Sequence, residues 1–272
     1  MGRNEAREFI QTKISEPFIN LKAWNYTDWL IFWVLIPLII VSIYYSPSSI
    51  KEQFFILNTS TCQITSIFFH EFTHSSESHL LGNLGFYYVW LGILFAFEKS
   101  KKVFHFSAVI FFFSITILGS VATIVFWDVI GKIGTSQGFS GFVAALSVYA
   151  SISLIRWVFV DIINFFPDWY QMKKIDRIIF FAIIILLAFA LLVIITVGLK
   201  FGLFISGNGF VSNGIVHFTG YLIGLIVPLF LYRKFVKKEL IFDSIVLFSV
   251  FLIILQYYLY LQKVVIIVKG TG

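Results

Sequence analysis

Three apolar stretches of this chain carry polar side chains that a membrane interior penalises. Ser140 stands in Gly138-Phe139-Ser140-Gly141 at the start of one stretch, His217 lies inside a second, and His79 and Asn83 open a third. Polar and ionisable groups in spanning helices are costly, face the protein interior and mark function. A serine hydroxyl becomes a nucleophile only with a base in hydrogen-bond reach, and an imidazole titrating near neutral pH can take and return that proton. The glycines flanking Ser140 allow a sharp turn and close backbone approach. A helix amino terminus adds unpaired amides and the positive end of the dipole, both suited to a developing oxyanion. His79 and Asn83 are four residues apart, so they share one helix face and can aim at the same oxygen. As chemistry, Ser140 is then the candidate nucleophile and His217 the general base and acid. His79, Asn83 and the Gly138 turn are candidate oxyanion and substrate contacts. No aspartate inside a spanning stretch completes a triad at a plausible place, and Asp128 lies near the end of its stretch. A dyad is expected, with the imidazole held by packing.

The elements that must position these groups follow from composition. The chain is 59% hydrophobic and 12% charged, with a mean hydropathy of +0.92. Soluble chains are about 25% charged, so a soluble domain is excluded. Seven stretches approach the length of about 20 residues that crosses a hydrocarbon core roughly 30 Å thick. They are Trp29–Tyr45, His79–Phe97, Val103–Trp127, Phe139–Val160, Ile178–Leu199, Gly214–Tyr232 and Leu240–Leu261. Only helices or closed barrels satisfy their backbone in lipid, and alternating strands of barrel type are absent. An all-α membrane protein with no sheet is expected. Residues 1–28 read as a cytoplasmic amphipathic segment, 29–232 as a six-helix catalytic core, and 233–272 as an extra carboxyl-terminal helix and tail. Gly220 and Gly224 follow His217 on its own face, and Gly141, Ala144, Val148 and Ser151 recur at helical spacing after Ser140. Small residues permit close approach of membrane helices, which would bring Ser140 and His217 together. The net charge of +6 is dispersed among loops, so the lipid bilayer, not nucleic acid, is the expected partner.

Lys and Arg also orient the helices. With the amino terminus inside, the inner segments hold Arg3, Arg7, Lys13, Lys22, Lys99, Lys101, Lys102, Arg156, Lys173, Lys174, Arg177, Arg233, Lys234, Lys237 and Lys238, fifteen of the twenty. Inner loops carry the positive excess, so the amino terminus is expected in the cytoplasm. His79, Ser140 and His217 then fall at similar depth near the outer face of a multi-pass protein.

A competing motif lies at His70-Glu71-Phe72-Thr73-His74, which matches His-Glu-x-x-His. On a helix that spacing places two imidazoles one turn apart for Zn²⁺, with Glu71 as general base. Asp168 loosely resembles a third ligand, but seven-span topology puts it on the opposite side from His70 and His74, which leaves His79 or Glu77 as the local candidates for that place. No metal and no other cofactor is therefore expected, and the zinc protease stays as the alternative. His105, near the inner end of its stretch, reads as structural.

In order and spacing, His70-x₃-His74-x₄-His79-x₃-Asn83, Gly138-Phe139-Ser140-Gly141 and His217-x₂-Gly220-x₃-Gly224 resemble the rhomboid proteases over roughly residues 70–230. The resemblance implies a rhomboid-like six-helix bundle plus an additional carboxyl-terminal transmembrane helix. It implies a Ser140–His217 dyad and an oxyanion hole from His79, Asn83 and the Ser140 amide. Gly141, Gly220 and Gly224 would serve packing, and His70 and His74 would be structural or water-organising. The substrates would be transmembrane proteins, cut near the outer end of a helix. Two positions depart from the pattern: Ala144 stands where many members carry an aromatic ring, and residues 46–69 hold no Trp-Arg pair. A further alternative is a non-catalytic relative that binds membrane clients; such relatives typically lack the serine or the histidine, and this chain has both.

Overall fold

The apolar stretches become helices whose ends follow caps and charges. The computed structural model describes residues 12, 15–129, 131, 133–157, 214–235 and 258. A helix over 15–23 (α1) leads into α2, Tyr26–Tyr44. Next come α3 (Ile64–Phe69), α4 (Glu77–Phe97), α5 (Lys101–Val129), α6 (Ser140–Arg156) and α7 (Gly214–Phe235). The stretches expected at 178–199 and 240–261 lie outside the described residues. Among those described, α2, α4, α5 and α7 are long and apolar enough to cross a membrane. These four helices make the chain a largely helical protein of membrane type.

Pro37 shapes α2. It has no N–H, so in an α-helix the Trp33 carbonyl would lose its partner, and in a π-turn the Phe32 carbonyl would. The chain is π-helical over Trp29–Leu35, just before the proline. Both carbonyls find donors on α4: the Tyr87 hydroxyl donates to Phe32 O at 2.6 Å and the Tyr88 hydroxyl to Trp33 O at 3.2 Å. Two adjacent tyrosines thus satisfy the backbone that one proline leaves open.

Among these helices α2 and α5 run one way and α4, α6 and α7 the other, which creates two ends. At one end, Asn20 of α1 donates to the carbonyls of Phe95, Ala96 and Glu98, and Trp24 Nε1 donates to Phe95 O at 2.7 Å. Those are carbonyls that the end of α4 leaves without intrahelical partners. Glu98 is buried there and accepts from Ser100 N, Ser153 Oγ and the Tyr232 hydroxyl, joining the α4–α5 turn to α6 and α7. Burial pushes its carboxyl above the usual carboxylate range, while these donors pull it back. His105 meets buried Asp28 at 2.8 Å, a contact that ties α5 to α2.

At the other end, a two-stranded antiparallel ladder pairs β1 (Leu57–Asn58) with β2 (Thr135–Ser136), in the register Leu57↔Ser136. No sheet was expected, and the ladder corrects that. The rule against sheets concerns backbone exposed to lipid, whereas this ladder joins two loops and buries Leu57 fully. It ends two residues before Gly138.

The middle helix is α6, buried from Gly141 through Leu154 except at Val148. It packs against α4 and α7, and α7 packs against α5 as well. By contrast α2 buries only 17% of its apolar window and α7 61%. The exposed residues of α2 and α5 are Ile31, Val34, Leu38, Val109, Phe113 and Val121 among others, an exterior that only an apolar solvent suits.

Candidate active site

Ser140 is the first residue of α6, and its cap Phe139 offers no side-chain hydrogen bond to the helix. The amides of Ser140, Gly141 and Phe142 have no preceding turn to bond. His217 is the fourth residue of α7. Its Nε2 lies 2.6 Å from Ser140 Oγ. For the hydroxyl to donate across that distance, Nε2 must hold the lone pair and Nδ1 the proton. Nδ1 has no hydrogen-bond partner among the described residues. Asp128 is exposed toward the far end of α5. The imidazole is buried and Ser140 half-buried, so the pair is reached from the serine side.

Small residues make this approach possible. A methyl group on Gly220 would stand 2.2 Å from Gly141 O and 3.1 Å from Ala144 Cβ, and one on Gly224 would stand 2.4 Å from Ala145 O. The α6 and α7 backbones are in direct contact below the pair. Ala144 packs beside Gly220 in the same contact.

The depth of the site follows from its neighbours on α5. A side chain at Gly141 would meet Ile115, and one at Gly119 would meet Val216, so the first turn of α6 is level with Ile115–Gly119. α5 runs on to Val129, about 15 Å further at 1.5 Å per residue. The serine is recessed because α6 starts late.

The oxyanion candidates surround the turn. Gly138 has φ +131°, a conformation that side chains rarely adopt, and its amide donates to His70 O at 3.1 Å. A methyl there would lie 2.7 Å from His79 Cε1, so the half-buried His79 ring covers Gly138. Asn83 is buried on the same helix, and its amide nitrogen lies 2.9 Å from His74 Nε2. Phe139 N also donates to that nitrogen, at 3.4 Å. His74 Nε2 is therefore an acceptor, and one N–H of the Asn83 amide remains for another oxygen. Burial, and then the nearby His79, lower the His74 pKa to about 3. It is neutral at physiological pH.

The helical spacing that the zinc alternative needs is not formed at His70–His74. α3 ends at Phe69, His70–Phe72 is a 3₁₀ turn and Thr73 is extended, so no α-helix stacks the two imidazoles. His70 Nδ1 faces Ser66 O and Ser120 Oγ, whereas His74 Nε2 faces Asn83 and Phe139. No group of three metal-ligating side chains converges among the described residues. Asp168 lies outside them. Sequence reasoning missed the place of Glu71, which is buried beside Gly141, and the whole Glu98 cluster. Glu98 falls between two apolar stretches beside Lys99, so it reads in the sequence as an ordinary loop charge.

Comparison of the chain with family models, with curated proteins and with solved structures finds no match.

Proposed function

We propose that this chain is an intramembrane serine endopeptidase of rhomboid type, with Ser140 as nucleophile and His217 as general base and acid. The observation that carries the reading is the 2.6 Å approach of Ser140 Oγ to His217 Nε2, at a recessed helix amino terminus between apolar helices. The order of chemistry follows from those atoms. Ser140 Oγ attacks a peptide carbonyl as its proton passes to Nε2. The carbonyl oxygen gains negative charge beside the helix-start amides and the side chains of His79 and Asn83. His217 returns the proton to the departing amine, leaving an acyl group on Ser140. Water then attacks the ester while giving a proton to Nε2, and collapse restores the hydroxyl and releases a carboxylic acid.

A substrate helix hides its carbonyls in hydrogen bonds, so the bond cut must lie where that helix unwinds. Glycine-containing transmembrane segments are the expected substrates. The positive-inside rule favours an outer location for the site: Lys22, Lys99, Lys101, Lys102, Arg156, Arg233 and Lys234 cluster at the Glu98 end, opposite Ser140.

The test is labelling of the detergent-solubilised protein by a fluorophosphonate, with cleavage of a weak-helix transmembrane reporter alongside. Wild type should label and cleave, Ser140→Ala and His217→Ala should do neither, and a chelator should change nothing. Cleavage that survives Ser140→Ala, or a wild type that neither labels nor cleaves, ends this reading; the second result would favour a client-binding protein.

A further inference from the structure

Glu71 is fully buried, and neither of its carboxyl oxygens has a hydrogen-bond partner among the described residues. The mechanism above does not use it. Its surroundings show what it touches. Oε1 is 3.3 Å from His70 Nε2, close enough for a charge pair but not aligned as a hydrogen bond, and that nitrogen is also unpartnered. A methyl on Gly141 would come within 3.1 Å of Oε2, and one on Gly119 within 3.6 Å of Oε1. The carboxyl is therefore lodged between α5 and the first turn of α6, beside the residue that follows the nucleophile. Two glycines leave that space open.

The hydrogens on His70 constrain the pair. Nδ1 lies 3.2 Å from the Ser66 carbonyl, which only accepts, so Nδ1 carries a proton. Ser120 Oγ donates to Ile67 O and thus also accepts from Nδ1. Nε2 of His70 and Oε1 of Glu71 face each other across a gap of 3.3 Å. The same turn grips the nucleophile loop through its backbone: His70 O takes the Gly138 amide, and His74 Nε2 takes the Phe139 amide. Residues 138 and 139 are anchored through their amides, and the Glu71 carboxyl flanks residue 141.

We propose that Glu71 is a positioning residue for the nucleophile. Its carboxyl, facing His70, fills the space beside Gly119 and Gly141 and sets where Ser140 stands relative to His217. The inference rests on the serine-hydrolase reading. It differs from the zinc reading of the same motif, in which Glu71 would act on water.

The full-length protein in detergent tests it through fluorophosphonate labelling and through kcat and KM on a transmembrane reporter. Glu71→Gln keeps the shape and volume of the side chain, so its kcat should stay within about threefold of wild type. Glu71→Ala empties that space and Glu71→Asp withdraws the carboxyl by one methylene; each should lower kcat by about tenfold or more with KM nearly unchanged, as misplacement near 1 Å does. Wild-type kcat in Glu71→Ala, a change confined to KM, or an equal loss in Glu71→Gln and Glu71→Ala each overturns the proposal. If Glu71→Ala does not fold, Glu71→Asp decides, and wild-type kcat there overturns it. A wild type that does not label removes the hydrolase reading and this inference together, which separates the two failures.

Discussion

Gly220→Ala should disable the site without touching either reacting residue. The added methyl would stand 2.2 Å from Gly141 O, a backbone atom that cannot swing aside. Relief to an ordinary contact needs about 1 Å of separation between α6 and α7, since real carbons rarely approach other atoms closer than 3.0–3.4 Å. Those two helices carry Ser140 and His217, whose 2.6 Å contact would open to about 3.6 Å, beyond hydrogen-bond reach. A misplacement of 1 Å costs about 10²-fold in rate, while overpacking costs roughly 1–3 kcal/mol of stability. The expected result is a folded protein whose fluorophosphonate labelling slows about 10²-fold. Gly82→Ala and Gly85→Ala on α4 are the controls, because a methyl at either meets nothing within 4 Å. Each should label normally and gain about 0.5–1 kcal/mol of stability, the usual cost of a glycine inside a helix. Gly220→Ala labelling at the wild-type rate would refute the claim that helix contact sets the dyad distance.

Two further predictions concern stability. Folding lowers the His74 pKa from 6.5 to about 3, so between those values the unfolded chain binds a proton that the folded chain does not. Stability is then lost as pH falls through this window, by up to about 1.4 kcal/mol per pH unit. The unfolding temperature in detergent should drop from about pH 7 to pH 5 more steeply in wild type than in His74→Asn, and equal slopes would contradict the assignment. Tyr87→Phe leaves the Phe32 carbonyl without its donor and should cost about 1–3 kcal/mol. In a Pro37→Ala background the restored amide can serve that carbonyl, so the same change should cost much less. A double-mutant cycle with no coupling would show that Pro37 and Tyr87 are independent.

Legibility tracked locality. Spans could be read because a lipid-exposed helix must be apolar for most of its length, and α2, α4, α5 and α7 lie within a few residues of their expected bounds. Ser140, His217, His79 and Asn83 stood out because a polar side chain in such a stretch needs a reason. The expected contact of small residues on α6 and α7 is present, although Gly224 meets Ala145 where Val148 was anticipated. Glu98 escaped notice, since its partners Ser153 and Tyr232 are distant in sequence and nothing periodic links them.

Sequence by itself determined which segments are helical and apolar, and which polar side chains stand out within them, because both depend on residue type and local spacing. Tertiary structure alone decided the backbone of His70-Glu71-x-x-His74 and the partners of its two imidazoles. The motif spells a zinc site only if its backbone is an α-helix, and here a 3₁₀ turn followed by an extended residue sends the two imidazoles to different partners. Hydrogen-bond partners across helices depend on how the helices pack, and packing is a property of all the surfaces together, not of any one segment.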